Sequence, residues 1–254
     1  MKTTLTIDSG NTSVKACIFQ NGECKASARV ASEAELQEWI ATLDEELKPE
    51  KGIYSNVTGS DPFGFTTSDS IVGTPIMTLR HDTPLPFRIG YTTPGTLGLD
   101  RIAAAAGAER LLKADAELDF ILVADAGTAL TLDLIDSSPT FIGGNISPGL
   151  RMRLLSLHEH TGALPEVTPE GEVEDFGTST LSAIRSGCTI GMAAEIAYAY
   201  AKASAQNKKG LIALTGGDAN ALQPYIDKNL PLLLCPELVA QGLNRILHYN
   251  EDNL

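Results

Sequence analysis

Apolar and polar positions near the N-terminus predict an antiparallel β-meander. Three β-prone stretches follow one another at 4–8, 13–19 and 23–30, and Asn21-Gly22 separates the second from the third. Asn-Gly is a strong hairpin signal because both central positions of a type I′ turn need a positive φ. The chain is therefore expected to begin with three consecutive paired strands.

In the rest of the chain, stretches with apolar residues at helical spacing alternate with β-prone stretches. Ser32 and Glu35 form a capping-box pattern ahead of a first helix, which is predicted over 33–46. Apolar residues at helical spacing predict further helices that begin near Leu99, Leu150, Leu181 and Leu238. Additional strands are predicted at 52–56, 71–79, 87–91, 120–136, 141–149, 211–215 and 232–235. This pattern favours an α/β protein.

One short pattern occurs twice. An apolar strand ends at an Asp, a small residue and a Gly follow, and a second β-prone run begins, first at Asp8-Ser9-Gly10 and again at Asp125-Ala126-Gly127. The Gly allows backbone N–H groups to approach an anion, and the Asp can hold a hydrated divalent cation. Two such hairpins could clasp a nucleotide polyphosphate. Their separation, nearly half the chain, indicates two related halves, each a meander followed by helices.

Composition narrows the function classes. The 254 residues are 43% hydrophobic and 20% charged, enough for one large domain or two ordinary ones. The formal net charge is −13 with no basic tract, which argues against nucleic acid and anionic membranes as partners. No apolar run approaches the ~20 residues of a membrane span, and Asp8 interrupts any signal-peptide core. A cytoplasmic location is expected.

The cysteines offer no recognisable metal or disulfide motif. No C-x-x-C pair and no paired His accompanies them, and they stand apart in the sequence at Cys17, Cys24, Cys188 and Cys235. Reduced, partly buried thiols are therefore favoured over metal ligation or a disulfide framework.

A breaker-rich loop at 83–98 leads into Asp100 and Arg101 at the start of a helix. An Asp in a first turn often only compensates the helix dipole, but the glycine-rich approach favours a site. A carboxylate within reach of an attacking hydroxyl suits phosphoryl transfer, and Arg can pair bidentately with a substrate carboxylate. The P-loop and Rossmann signatures are absent from the sequence, which excludes the two commonest nucleotide folds.

Six motifs occur in one order and spacing along the chain. They are 8–12, 98–101, 125–129, 143–149, 163–165, and Thr180 with Ala183, Ser186 and Gly187. Together they resemble the type III pantothenate kinase family of the sugar kinase, Hsp70 and actin superfamily. The resemblance covers almost the whole chain. It implies two duplicated ribonuclease H-like domains, at 1–114 and 115–254, with the ATP cleft between them.

The resemblance also implies a role for each matched residue. The ATP-binding set would be Asp8, Ser9, Gly10, Asn11, Thr12, Ser13, Val14, Lys15 and Thr128. The pantothenate-binding set would be Tyr91, Gly98, Leu99, Asp100, Arg101 and Thr180. Asp100 would act as the general base, Asp8 would hold Mg²⁺ through water, and Asp125 would hold a monovalent cation, K⁺ or NH₄⁺.

The implied activity is ATP-dependent phosphorylation of pantothenate to 4′-phosphopantothenate, the first step of coenzyme A biosynthesis, by a homodimer. Two alternatives stay open: a kinase of another small polyol, or phosphatase acting on phosphoanhydrides, on the same fold, and a nucleotide-binding regulatory protein without catalysis. The joint presence of Asp8, Asp100 and Asp125 argues against the last. The chain departs from the family pattern at Ala104, beside the substrate, and at Ala197-Tyr198, in the expected dimer contact.

Overall fold

The computed structural model describes residues 2–10, 13–57, 70–71 and 73–252. The strands are β1 (Thr3–Ser9), β2 (Val14–Gln20), β3 (Glu23–Val30), β4 (Lys51–Asn56), β5 (Ser70–Ile71), β6 (Thr74–Thr78), β7 (Arg88–Ile89), β8 (Phe120–Ala126), β9 (Ala129–Asp136), β10 (Thr140–Pro148), β11 (Gly210–Thr215) and β12 (Leu232–Leu234). The helices are α1 (Glu33–Thr42), α2 (Leu99–Ala114), α3 (Leu150–Glu159), α4 (Thr180–Ala203), α5 (Ala219–Leu222) and α6 (Leu238–Asp252). The predicted order of elements is confirmed, although the first helix ends at Thr42 and a 3-10 turn follows at Glu45–Leu47.

The chain divides into two compact units. The first comprises Met1–Lys113, Pro139–Phe141 and Glu237–Leu254, and the second comprises Ala114–Ser138 and Ile142–Pro236. The domain boundary expected between residues 114 and 115 stays a prediction. Within the first unit α6 lies against β1, where the Thr4 hydroxyl donates a hydrogen bond to Asn244 Oδ1 at 2.6 Å.

The sheet of the first unit has the strand order β3-β2-β1-β4-β6-β5. β1, β2 and β3 pair antiparallel, whereas β4 runs parallel to β1. Asn21 and Gly22 have φ values of 55° and 76°, as a type I′ turn requires, so the predicted meander is confirmed. One face of this sheet packs on α1, and the core between them includes Leu5 and Ile7 of β1 and Leu36 of α1.

The small residues of α2 allow close helix packing. A Cβ at Gly242 of α6 would lie 1.7 Å from the carbonyl oxygen of Ala103, and one at Gly107 would lie 2.6 Å from that of Leu238. Neither contact can be relieved by moving a flexible side chain, because both neighbours are backbone atoms. The two glycines therefore set the distance between α2 and α6.

The second sheet has the strand order β12-β11-β8-β9-β10, and β7 pairs with Thr140 and Phe141 of β10, which belong to the first unit. β8 pairs antiparallel with β9 and parallel with β11, so the order β10-β9-β8-β11 repeats the order β3-β2-β1-β4. Helices α3 and α4 cover its core. Even the 24-residue α4 lacks the apolarity to cross a bilayer, and no other described helix meets that requirement.

Candidate active site

The first Asp-x-Gly hairpin closes at the ends of β1 and β2. The backbone N–H of Gly10 donates to the carbonyl of Ser13 at 3.1 Å, while that of Val57 donates to the carbonyl of Ser9, also at 3.1 Å. Asp8 is half-buried and faces Lys15 and Ser55 on the neighbouring strands. The predicted phosphate contacts of Asn11 and Thr12 lie outside the described residues. The hairpin thus places a partly exposed carboxylate beside a glycine turn.

Lys15 takes part in an ion pair that the sequence did not indicate. Its Nζ lies 2.7 Å from Oε2 of Glu237, and both side chains are largely but not fully shielded from solvent. Glu237 directly precedes α6, and its carbonyl accepts a hydrogen bond from Gln241 N at 2.8 Å. The first turn of α6 therefore holds the carboxylate that neutralises Lys15. A phosphate contact by Lys15 stays a prediction.

Arg101 is nearly buried and packs against two aromatic rings. Its side chain is 6% exposed, and Cζ lies 5.7 Å from the ring centroids of both Tyr91 and Phe141. The two rings contact each other edge to face, with centroids 5.9 Å apart. Cation–π contacts of a desolvated guanidinium are worth about 2 kcal/mol. Tyr91 is among the site residues predicted from the sequence, whereas Phe141 is not. Phe141 comes close to Arg101 because it pairs in register with Ile89 of β7.

Asp100 is held in one orientation at the start of α2. Its Oδ1 accepts a hydrogen bond from the backbone N–H of Arg101 at 2.8 Å. A Cβ at residue 98 would lie 2.5 Å from the same oxygen, so the glycine there makes room for the carboxylate. Asp100 is itself half-buried. A fixed, partly shielded carboxylate has the properties that a general base requires.

The second hairpin carries Asp125 at the end of β8. Gly127 N donates to the carbonyl of Ala129 at 3.0 Å, which closes the turn. Asp125 is half-buried, and a Cβ on Gly216, whose φ is +96°, would lie 2.5 Å from its Oδ1. The turn after β11, Thr215-Gly216-Gly217, therefore forms a wall of the Asp125 site. In this turn burial raises the pKa of the Asp218 carboxyl, although the charge of Arg151 opposes the shift.

A third turn, at Gly149 directly before α3, lies against the second hairpin. Gly149 N donates to the carbonyl of Thr128 at 3.1 Å, and Thr128 is exposed. A Cβ at Gly149 would lie 2.1 Å from the carbonyl oxygen of Gly127 and 2.5 Å from that of Thr128. The predicted motif at 143–149 thus ends against the backbone of the second hairpin.

Gly149→Ala is expected to destabilise the second unit. The added Cβ meets two backbone oxygens, and overpacking of this kind costs about 1–3 kcal/mol. Urea unfolding followed by circular dichroism measures the loss in the free energy of unfolding. Gly162→Ala is the matched control because a Cβ there has open space around it. Equal stability of the two variants would contradict the packing described at Gly149.

Thr180 is the first residue of α4 and is exposed. It lines an open groove of about 400 Å³ in the second unit. The other lining residues are small or apolar: Leu157, Leu164, Ala183, Ile184, Gly187 and Cys188. A groove with apolar walls and one hydroxyl suits a ligand that combines an apolar body with a polar group.

Solved structures identify the fold class. A Baf family protein of Campylobacter jejuni superposes with a TM-score of 0.58 at 21% identity, over 98% of this chain and 99% of that one. A ROK family glucokinase of Streptomyces griseus gives a TM-score of 0.51 at 12% identity, over 97% and 98%. These likenesses show the fold of this chain, which is α/β with two related mixed sheets.

Sequence comparison identifies the family within that class. The model of the type III pantothenate kinase family matches residues 4–202. A type III pantothenate kinase of Porphyromonas gingivalis is 36% identical over 253 residues, 98% of this chain and 100% of that protein. One from Phocaeicola vulgatus is also 36% identical, over 97% of this chain and 98% of the relative. The chain belongs to the type III pantothenate kinase family.

Proposed function

We propose that this chain transfers the γ-phosphoryl group of ATP to the primary hydroxyl of pantothenate. The product would be 4′-phosphopantothenate, and the reaction would open coenzyme A biosynthesis. Membership of the type III pantothenate kinase family, matched over residues 4–202, carries the proposal. The enzyme is then a phosphotransferase that acts on an alcohol group, and a cytoplasmic location and a homodimer belong to the same proposal.

Asp100 is assigned as the general base and Arg101 as the anchor of the pantothenate carboxylate. The hydrogen bond from Arg101 N, at 2.8 Å, fixes the carboxylate of Asp100, which supports its role in accepting the hydroxyl proton. The rings of Tyr91 and Phe141 restrict the Arg101 side chain, so less conformational entropy is lost when it pairs with a carboxylate. Gly98 and Leu99 would contribute backbone contacts to the same substrate.

The phosphates of ATP are assigned to the first hairpin, residues 8–15, with Thr128 as a further contact. The glycine turn closed by Gly10 and Ser13 supports this assignment, because backbone N–H groups near a glycine can approach an anion closely. Phosphoryl transfer depends mainly on positioning and neutralisation of charge. The first hairpin would then fix the position of ATP relative to the hydroxyl that Asp100 deprotonates.

Two cation sites complete the proposal. Asp8 would hold Mg²⁺ through water, and Asp125 would hold K⁺ or NH₄⁺. Half-buried carboxylates at glycine turns, with backbone carbonyls beside them, offer the oxygen ligands that hard cations prefer. When bound, the cations supply neutralisation of the charge on the transferring phosphoryl group.

Activity is expected to depend on the monovalent cation through Asp125. Replacement of K⁺ by Na⁺ at constant ionic strength should lower kcat/KM by about tenfold, a common size for coupling between two ligands. In Asp125→Asn the difference between K⁺ and Na⁺ should shrink to less than about twofold, because the charged oxygen ligand is gone. Asp115→Asn, at an exposed carboxylate, should keep the full K⁺ effect. A K⁺ effect retained in Asp125→Asn would remove the role given to Asp125.

The groove beside Thr180 supports one further assignment, and exposed apolar side chains elsewhere in the second unit support another. Thr180 would donate to or accept from a polar group of pantothenate, whose branched hydrocarbon suits the apolar walls. Phe176, Leu181 and Tyr198 are 89%, 48% and 65% exposed, which favours burial of part of this unit's surface in a homodimer. Ala197-Tyr198 stands where the family pattern has Asp-Gly, so the dimer contact would differ in detail.

A substrate panel tests the proposed function. Purified protein with ATP, Mg²⁺ and K⁺ is assayed for ADP release with pantothenate, with several small polyols, and with no acceptor. The proposal expects turnover with pantothenate well above every other condition. Faster turnover with a polyol would identify a different kinase, phosphate release without acceptor would identify a phosphatase, and no turnover at all would favour the regulatory alternative.

A further inference from the structure

Two thiols and a carboxylate meet on one face of the first sheet. The Sγ atoms of Cys17 in β2 and Cys24 in β3 and a carboxylate oxygen of Glu237 all lie within 4.8 Å of one another. The Cys17 thiol donates a hydrogen bond to Glu237 Oε2 at 3.3 Å. These three residues are called the thiol–carboxylate cluster below.

The sequence separates the two cysteines in a way that hides this arrangement. Phe19 pairs with Cys24, and a register shift between Ile18 and Phe19 adds a residue to β3 at this point. Because residues two apart in a strand share a face, Cys17 lies on the same face as Phe19 and hence as Cys24. The bulge therefore brings together two thiols that the sequence predicts to be isolated.

The three ligand atoms are close enough together to form an open zinc site. Zn–S bonds of about 2.3 Å and Zn–O bonds of about 2.0–2.2 Å in a tetrahedron place neighbouring ligand atoms roughly 3.5–3.8 Å apart in a set of two sulfurs and one oxygen. The 3.3 Å contact between Cys17 Sγ and Glu237 Oε2 would lengthen slightly on binding, and the 4.8 Å limit on the other pairs allows them to be reached by small side-chain adjustments. Three protein ligands leave a fourth position for water, as in zinc sites that stay accessible.

Charge balance is consistent with a divalent cation, because the cluster together with Lys15 is neutral with both thiols protonated and neutral again with two thiolates and a 2+ ion. Two thiolates and one carboxylate carry three negative charges, and Lys15, at 2.7 Å from Glu237, contributes one positive charge. A divalent cation makes the group neutral, which matters because Cys17 is fully buried and an uncompensated charge there would be costly. The two displaced thiol protons go to solvent on binding.

We propose that the thiol–carboxylate cluster binds a thiophilic divalent cation, with Zn²⁺ as the representative ion, at a site separate from the Mg²⁺ and K⁺ sites proposed above. The bound ion shares Glu237 with Lys15. Lys15 in turn pairs in register with Asp8 across the first hairpin. A bound ion would therefore change the charge beside the proposed phosphate-binding hairpin. The binding of the ion does not depend on kinase activity.

Metal titration of the reduced, metal-free protein tests this proposal. Competition with a chromophoric chelator should give one tight Zn²⁺ site per chain, and Co²⁺ should show thiolate-to-metal charge-transfer absorption. Cys24→Ser, at the half-buried position, should weaken Zn²⁺ binding by at least tenfold and remove this absorption. Glu237→Gln should weaken binding by about 10–100-fold while keeping the thiolate absorption. Cys235→Ser, a buried cysteine in the second unit, is the control and should bind as the wild type does.

A second measurement does not depend on how well the variants fold. Alkylation of Cys24 by iodoacetamide, followed by mass spectrometry of the wild-type protein, should be suppressed by one equivalent of Zn²⁺ and restored by a chelator. The proposal is wrong if the reduced wild-type protein takes up no Zn²⁺ beyond the level of Cys24→Ser. It is equally wrong if bound Co²⁺ lacks thiolate absorption. Pantothenate kinase activity without zinc binding would overturn this proposal alone, whereas zinc binding without that activity would overturn only the proposed function.

Discussion

Asp100→Asn is expected to lower kcat with pantothenate by about 10²–10⁴-fold, the usual contribution of a positioned general base. The amide oxygen of Asn can still accept the hydrogen bond that Arg101 N donates to Oδ1, so the start of α2 should be preserved. The KM values for ATP and pantothenate should change little, because the substitution removes a proton acceptor and keeps the shape of the side chain.

Steady-state kinetics measure this effect, and thermal unfolding shows whether the fold is retained. Asp82→Asn is the control, since Asp82 is an exposed carboxylate in the loop that leads toward the same helix. A variant at position 100 that keeps most of its turnover would show that another group accepts the proton. A large loss in Asp82→Asn as well would show that the assay reports the general charge of this region.

Arg101→Lys is expected to raise the KM for pantothenate by about 10–100-fold and to leave the KM for ATP unchanged. Lysine keeps the charge but loses the planar fork that pairs bidentately with a carboxylate, and it loses part of the contact with Tyr91 and Phe141. Arg110→Lys is the matched control, because Arg110 is exposed and its Nη1 donates to the carbonyl of Gly22 in a different hairpin.

Measuring two substrates with both the wild type and Arg101→Lys separates recognition of the carboxylate from packing of the side chain. The second substrate is the carboxamide analogue of pantothenate, which has the same size but no negative charge. If Arg101 pairs with the carboxylate, the wild type should prefer pantothenate strongly, whereas Arg101→Lys should discriminate much less. An equal loss with both substrates would mean that Arg101 acts by packing between the two rings and that another group binds the carboxylate.

Local signals in the sequence predicted most of the elements correctly. Asn21-Gly22 specified its hairpin because few residues other than Asn and Gly tolerate the positive φ values observed there. The run of alanines in α2 leaves room for a close helix neighbour, and Gly107 and Gly242 provide the contact. Both features depend on residues adjacent in the chain or on one helix face, so the sequence carries them directly.

Contacts between distant residues were not predictable in the same way. Phe141 joins Arg101, and Glu237 joins Lys15, through strand pairing and helix packing that bring together residues far apart in sequence. A one-residue change in register would move each side chain to the opposite face. The meeting of Cys17 and Cys24 depends on a bulge of this kind. The family resemblance supplied the roles of Asp8, Asp100 and Asp125, which no local pattern could assign.

Mass spectrometry with ³¹P NMR of a reaction containing protein, ATP, Mg²⁺, K⁺ and pantothenate decides whether this chain phosphorylates the primary hydroxyl of pantothenate with Asp100 as base. One product is expected, a phosphate monoester at the 4′-hydroxyl, formed by the wild type and reduced by at least about 100-fold with Asp100→Asn. Consumption of ATP with pantothenate left unmodified, or a phosphate found on its carboxylate, would rule out this function.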